Sequence, residues 1–579
     1  MPTRPELIGD LGMVASTHWI ASAVGMGVLE RGGNAADAAV AAGFALQVVE
    51  PHLNGPGGDL PVLVWDPGAT AARVVCGQGV APASATVAAM RARGIDVMPG
   101  TGLLAAVVPG AFGGWLTLLA GWGTWTLADV LEPAIALADR GHPLLPTAAA
   151  TINGSAARFR RDWPTSAEHW LTAGRDRVAG ERVRNPTLAR TYERIIVAAE
   201  AAGADREAQI EAARRAWYEG FVAEAIDRFS AQQGGLLTGQ DLAGWSAGVE
   251  DPVWGSYGDV TVAKTGAWGQ GPVMLQQLAL LEAAGLGELE PGGAGWLHLI
   301  TEAAKLAFAD RDAWYGDPTV SDVPLATLLS SAYATARVAL IGDDASLDLR
   351  PGSPDGRAPI LPPYWTEGTG AGPGEAGGGE PTLNPPRGDT CHLDVVDANG
   401  MMISATPSGG WLQSSPTIPE LGFCLGTRGQ MFALAEGLPN TLRPGVRPRT
   451  TLSPSLALRD GEPWLAFGTP GGDSQDQWTL HVLLNLLHTD DNLQQAIDRP
   501  SFDTAAMIDS FHPHGFRPGL LRLEGRHSPA VRSALADRGH RLEVTDDWSL
   551  GRVSAVARED GWLKAGANAR GDQGYAVGR

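Results

Sequence analysis

The sequence predicts a large α/β protein of two or more layers or lobes. Three observations carry this. The chain has 579 residues, too many for one simple core. Its composition, 44% hydrophobic and 18% charged, is that of a globular protein. Along it, stretches with helical periodicity are interspersed with short apolar runs that read as strands.

Ile20 to Glu30 has helical periodicity and ends at Gly32-Gly33. Asn34 is a good N-cap for a second helix, Ala35 to Val49, which Pro51 stops. Its alanines predict close packing. Asn54-Gly55-Pro56-Gly57-Gly58-Asp59 leads into a buried strand, Leu60 to Trp65. A glycine loop can cradle phosphate, but this one lacks the Lys-Ser/Thr of a P-loop and does not run from strand to helix. Tight backbone packing beside a site is the expected use. Val107 to Trp115 starts another helix, with Pro109 near its first turn, and Thr126 can cap an amphipathic helix from Leu127 to Asp139. Helices are expected over Asn185 to Ala199 and Trp217 to Phe229, then a turn at Leu236 to Leu242 and a strand at Val260 to Ala263. Leu297 to Ala309 is a long helix; the charged Asp310-Arg311-Asp312 after it reads as a solvated, salt-bridged end.

Pro351 to Gly388 is rich in Pro and Gly without periodicity, the composition of a flexible arm. It leads to Asp389-Thr390. Cys391 to Val396 then reads as a strand, Asp397-Ala398-Asn399-Gly400 as a hairpin turn and Met401 to Thr406 as the return strand. If the Asp389–Thr390 bond is cut, Thr390 gains an amine beside its own hydroxyl. That amine, with an ordinary pKa of about 7.7–8.0, can serve as base for the hydroxyl. An ordinary threonine at a strand start is the competing reading. His392 lies two residues on and can line a site or be structural; Cys391 is a weaker candidate nucleophile.

Farther on, Leu421 to Leu425 reads as a short strand. A hairpin turns at Asp460-Gly461, between Leu456–Leu458 and Trp464–Phe467. Gly468-Thr469-Pro470-Gly471-Gly472-Asp473 follows, then a helix from Gln475 to His488. Two N–H groups at such a strand-to-helix junction can point at one oxygen, although a plain turn has the same sequence. Leu520 to Leu523, a helix from Pro529 to Asp537 and a hairpin around Asp560-Gly561 complete the chain.

A net charge of −21 argues against nucleic acid and anionic membranes as partners. Cys76, Cys391 and Cys424 are the only cysteines, with no disulfide framework and no CxxC metal signature. No metal and no cofactor are expected. The first residues lack the apolar core of a signal peptide, and no apolar run reaches the ~18 residues of a membrane span. A cytoplasmic location is expected.

Several motifs together resemble the γ-glutamyltransferase family of N-terminal-nucleophile hydrolases. They are Gly32-Gly33-Asn34-Ala35-Ala36-Asp37-Ala38, Asn54-Gly55-Pro56-Gly57-Gly58, Val108-Pro109-Gly110, the helix Glu302 to Asp310, Asp389-Thr390-Cys391-His392 and Pro470-Gly471-Gly472. The resemblance implies a four-layer αββα fold. It implies a precursor that cuts itself before Thr390 into a large segment, 1–389, ending in the arm 351–388, and a small one, 390–579. The two segments stay together; dimerisation is left open. By similarity Thr390 is the nucleophile, Ser408 holds its amine, Gly471 and Gly472 supply the oxyanion donors, and Thr450 and Thr451 contact substrate.

The departures bear on substrate. Where the γ-glutamyl enzymes carry an Arg for the α-carboxylate, Val87 stands, with Arg91 and Arg93 nearby. Gln430-Met431 is followed by Phe432-Ala433 instead of the acidic pair that holds the α-ammonium, and Gly410 replaces an Asn. The Cys391-His392 and Ser408-Gly409-Gly410-Trp411 variants look closer to the branch with oxamate amidohydrolase and some acylases. Hydrolysis of a small, oxamate-like amide is therefore expected. Gln430, Arg428 and Arg449 are candidate substrate contacts, and Arg447 is a further cation. Transfer or hydrolysis of γ-glutamyl groups is the alternative, and an uncleaved binding protein a third.

Overall fold

The structure, a computed structural model, describes residues 2–367, 390–572 and 574–579. Two seven-stranded antiparallel sheets lie face to face. One runs in the order Leu7–Gly9, Trp562–Ala567, Ser554–Glu559, Glu462–Gly468, Ser455–Arg459, Val260–Lys264, Val253–Tyr257. The other runs Tyr575–Gly578, Gly12–Ser16, Leu393–Asp397, Met402–Ala405, Leu60–Asp66, Ala71–Gly77, Gly248–Glu250.

Strand alternation divides the apolar side chains between layers. In the second sheet Met13, Ala15, Trp65 and Val396 point to the other sheet, where they meet Leu456, Ala466 and Val556. Val14, Val62, Leu393 and Val395 point the opposite way, into helices that include Ala35–Val49, Ala111–Trp122 and Pro186–Glu200. The first sheet is covered on its outer face by Pro272–Ala283, Ala294–Trp314 and Gln475–His488. This is the expected αββα arrangement. Each sheet draws strands from both sides of residue 390, so the chain before Thr390 and the chain after it share one core.

The alanine helix Ala35–Val49 is buried along its whole length, and a Cβ at Gly43 would overlap the Trp115 ring. Asn34 and Asp37 form a capping box at its start. Asp37 also accepts from the Thr124 hydroxyl at 2.7 Å, so that motif is an anchor for the helix layer.

Several elements differ from expectation. The helix expected over Trp217 to Phe229 is two, Arg206–Tyr218 and Phe221–Gln232, parted at Glu219-Gly220. Leu236 to Leu242 contains the start of a short helix, Gly239–Ala243, capped by Thr238 and Asp241. Leu421 to Leu425 is no strand; Gly422 turns there with φ +76°. The arm is not loose over its first part. Gly352 N–H donates to Asp310, the Trp314 indole donates to Gly352 O at 3.1 Å, and Trp365–Thr366 pairs with Gly515–Phe516. The rest of the arm, with Asp389, lies outside the described residues. The long helix continues to Trp314. Its Asp310-Arg311-Asp312 is buried rather than solvated, because residues 473 and 508–510 cover it.

Among the described residues no helix is long and apolar enough to cross a membrane.

Candidate active site

Thr390 is buried just before the strand Leu393–Asp397, which begins two residues later than the sequence suggests. It forms an isolated antiparallel bridge with Ser408, and the two hydroxyl oxygens are 3.1 Å apart. Ser408 in turn pairs with Asp59. Asp59 N–H donates to Ser408 O at 2.7 Å, and Ser408 N–H donates to Asp59 O at 3.1 Å. The glycines before Asp59 permit this approach: a Cβ at Gly58 would overlap Ser408 O, and one at Gly57 would overlap Cys424 O. Close packing, as expected of the loop, is what the structure shows. Gly410 lies against the same loop with φ +65°.

Cys391 and His392 take opposite sides. The Cys391 thiol donates to Glu50 Oε2 at 3.0 Å, and the Thr17 hydroxyl donates to the same oxygen at 2.6 Å. His392 is fully buried between the sheets. Its Nδ1 is 3.0 Å from the Thr406 hydroxyl and its Nε2 is 2.9 Å from Asp394 Oδ2. Burial pushes the Asp394 carboxyl above its ordinary pKa, against the pull of His392. The His392 ring lies so close to Gly468 that a Cβ there would overlap it. This stacks the residues after Thr390 on the strand Glu462–Gly468, which runs straight into Thr469-Pro470-Gly471-Gly472.

That turn has the backbone the sequence suggests only in outline. Gly471 has φ +129° and Gly472 φ +54°. Gly472–Ser474 is a single 3₁₀ turn that continues into the helix Gln475–His488. Among the described residues neither glycine N–H meets a protein acceptor. The turn is held from behind. Gln270 Nε2 donates to Gly472 O at 3.2 Å, and Arg311 donates to Gln270 Oε1 at 3.0 Å and to Asp473. Ser510 N–H donates to Asp473 Oδ2 at 2.8 Å. Beneath the helix start, Lys264 and Asp476 form a fully buried ion pair of 2.9 Å, to which the Ser453 hydroxyl donates at 2.6 Å.

Thr450 donates its N–H to Trp268 O at 2.8 Å, and its hydroxyl oxygen accepts from Leu452 N–H at 3.3 Å. The Thr451 hydroxyl is buried with no protein partner. Gln430 spans its own turn, donating to Thr427 Oγ1 at 3.3 Å and accepting from His512 N–H at 3.4 Å.

The arginines separate clearly. Arg447 is taken by Asp317, through Nε at 3.1 Å and Nη2 at 2.8 Å, and by Glu250. Arg449 donates to Asp312 Oδ1 and to Ser510 Oγ, each at 2.9 Å, so the expectation that it holds a substrate carboxylate meets a guanidinium already engaged on both Nη groups. Arg428 pairs with Asp59 through Nε at 2.9 Å, while its buried Nη2 has no protein partner. Arg91 donates to Leu434 O at 3.1 Å, and Arg93 donates to Ala89 O at 2.8 Å on its own exposed turn. Phe432 packs with Met90, Met98 and Leu442, an apolar wall where the γ-glutamyl enzymes have acid.

Sequence reasoning passed over Gln270, Lys264 and Asp476, gave Asp59 no role and placed Arg311 at a solvated helix end. Only Asp59 carried a signal, as the polar end of the glycine loop. The others act across the fold from distant elements.

The family model for Gamma-glutamyltranspeptidase matches residues 21–578. The chain belongs to the γ-glutamyltranspeptidase family. Within this family it is similar to the Glutathione hydrolase-like YwrD proenzyme of Bacillus subtilis (strain 168), at 31% identity covering 99% of each chain. It is similar to the Oxamate amidohydrolase proenzyme of Klebsiella pneumoniae subsp. pneumoniae at 30% identity, covering 98% of each. Among solved structures, "Structure of LmbA2991HD" superposes with TM-score 0.93 at 51% identity, covering 100% of each chain. The cephalosporin acylase from Bacillus halodurans superposes with TM-score 0.84 at 28% identity, covering 100% of this chain and 97% of that one. The fold is that of the γ-glutamyltranspeptidase and cephalosporin acylase N-terminal-nucleophile enzymes, and the chain is an enzyme of that amidohydrolase and acyltransferase type.

Proposed function

We propose that the chain is a precursor that cuts itself at Asp389–Thr390 and then hydrolyses a small amide whose acyl group lacks an α-ammonium. The observation that carries this is the buried Thr390 hydroxyl, 3.1 Å from that of Ser408, just ahead of the strand Leu393–Asp397. Cleavage leaves segments 1–389 and 390–579 interleaved in both sheets. The freed Thr390 amine takes the proton of its own hydroxyl, and the Thr390 oxygen attacks the amide carbonyl. Ser408 holds the amine. The N–H groups of Gly471 and Gly472 receive the oxyanion, at a helix start where negative charge is favoured. The amine proton passes to the leaving nitrogen; water then opens the ester and restores Thr390. The unpartnered Thr451 hydroxyl, with Thr450 beside it, is suited to meet the substrate. Phe432 and Ala433 offer no counter-charge to an ammonium, and burying one unpaired is costly. An oxamate-like or other short acyl amide fits such a site better than a γ-glutamyl group.

The test is a denaturing gel with N-terminal sequencing, followed by an activity screen of oxamate, short acyl amides and a γ-glutamyl anilide. Two fragments are expected, the smaller starting at Thr390, and Thr390→Ala should remain one chain. Active enzyme running as a single full-length band would refute the mechanism. Efficient γ-glutamyl turnover, with no preference for acyl groups lacking the ammonium, would restore γ-glutamyl chemistry.

A further inference from the structure

The three arginines the sequence offered as carboxylate partners are all buried, so exposure does not separate them. Their hydrogen bonds do. Arg447 and Arg449 each have acidic or hydroxyl partners on both Nη groups or across the whole fork. Arg428 has a partner on one edge only. Its side chain is 1% exposed, yet beyond the Nε bond to Asp59 its Nη1 finds only Met431 Sδ at 4.0 Å, and its Nη2 finds no protein acceptor. The guanidinium lies over the Trp411 ring at 5.6 Å. Trp411 and Met431 belong to a small apolar cluster with Phe511 and can supply no carboxylate of their own.

A buried charged group with unmade hydrogen bonds is unfavourable unless something meets it. The open edge is a planar pair of donors, which matches two carboxylate oxygens. The location is also constrained. Arg428 holds Asp59, Asp59 is bridged to Ser408 through both backbone bonds, and Ser408 touches Thr390. Three contacts therefore connect the Arg428 guanidinium, through its Nε side, to the Thr390 hydroxyl.

We infer that Arg428 is the specificity-determining residue of the site and receives, on its Nη edge, a carboxylate carried by the acyl group of the substrate. The inference deepens the amidohydrolase reading and rests on it for the word substrate. The acyl class it assigns is a half-amide of a short dicarboxylic acid: a carboxylate at one end, the scissile amide at the other, and no ammonium. Asp59 holds the Nε edge, which leaves the fork aimed rather than free to swing. The apolar surroundings of Trp411 and Met431 exclude water and strengthen the pairing. Lys at this position would keep the charge and lose the fork.

The experiment compares wild type, Arg428→Met and Arg428→Lys in two measurements. The first is calorimetric titration with oxalate, malonate, succinate and glutarate, which needs no turnover. The second is kcat/KM for half-amides of the same acids against the neutral acyl amides of equal length. Wild type should bind at least one dicarboxylate and prefer the charged acyl series. Arg428→Met should lose the binding and lower the charged-to-neutral kcat/KM ratio by about 10²-fold or more. Arg428→Lys, which still faces Asp59 with a cation and so covers the case that Arg428→Met unfolds, should fall between them. No dicarboxylate binding by wild type, or equal binding by wild type and Arg428→Lys with an unchanged ratio, would overturn the assignment. Binding that depends on Arg428 in a protein that hydrolyses no amide would support the carboxylate site and sink the hydrolase reading instead.

Discussion

The Asp310-Arg311-Asp312 segment gives the sharpest quantitative test, because the solvated and buried readings predict different magnitudes. A solvated, salt-bridged helix end would make Arg311→Met nearly silent, within about 0.5 kcal/mol. In the structure the Arg311 side chain is 0% exposed. It donates to Asp312 Oδ1 at 2.9 Å, Gln270 Oε1 at 3.0 Å, Ile508 O at 2.8 Å and Asp473. Removing one member of a buried ion network typically costs about 3–5 kcal/mol, because the remaining charges are left uncompensated. Here Asp312 keeps Arg449, and Asp473 keeps the Ser510 N–H and hydroxyl. The lower end, about 3 kcal/mol, is therefore expected. The assay is urea unfolding of the purified protein, read as a shift in midpoint at constant slope. Arg311→Lys should lose less than Arg311→Met, since it keeps the charge and gives up the fork. Turnover should fall as well, because Gln270 and Asp473 tie Arg311 to the Gly471-Gly472 turn. A loss under about 0.5 kcal/mol would refute the buried-network argument. A large stability loss in a protein that keeps normal turnover would break the link to the turn.

Gly471→Ala keeps its N–H but forces it out of position, so turnover should fall toward the roughly 10²–10³ that losing an oxyanion donor typically costs. At φ +129° alanine is strained, and its Cβ would overlap the Trp478 ring; normal steady-state turnover by the folded variant would count against the oxyanion role. Cys391→Ser should keep self-cleavage and activity, because serine can still donate to Glu50 and the proposed nucleophile is Thr390; loss of both, on a gel and in hydrolysis of the amide the wild type prefers, would reopen Cys391 as nucleophile. His18→Asn should flatten the loss of stability in acid. Burial, with His142 and His52 adding to it, lowers the His18 pKa from 6.5 to about 3. Protons therefore bind the unfolded chain first, and stability falls as pH drops from 6.5 toward 3. Asparagine can still accept the Ile20 N–H that His18 Nδ1 accepts at 3.0 Å, and it does not titrate. Unfolding midpoints compared at pH 7.5 and 4.5 should differ less in the variant than in wild type; an equal difference would rule His18 out as a source of acid sensitivity.

The sequence by itself determined many of the local elements and the family-bearing motifs. Ala35–Val49 and Gln475–His488 are helices with the bounds read from their caps and periodicity, and Asp460-Gly461 turns the hairpin with φ +52° and +81°. Such features depend on neighbours a few residues away, where propensity and capping act. The glycine loop was legible as close packing because glycine has few other uses there. What only the tertiary structure decided is everything set by long-range burial. Periodicity could not place Arg311 inside the molecule, because the residues that cover it come from 473 and 508–510. Arg428, Arg447 and Arg449 are the same residue type within a short stretch of chain. They differ only in what the fold brings to each: Asp317 and Glu250 to one, Asp312 and Ser510 to another, and to Arg428 a single edge of Asp59. Charge and hydrogen bonding act through space, so the partners of a buried cation become visible only when the chain has closed around it.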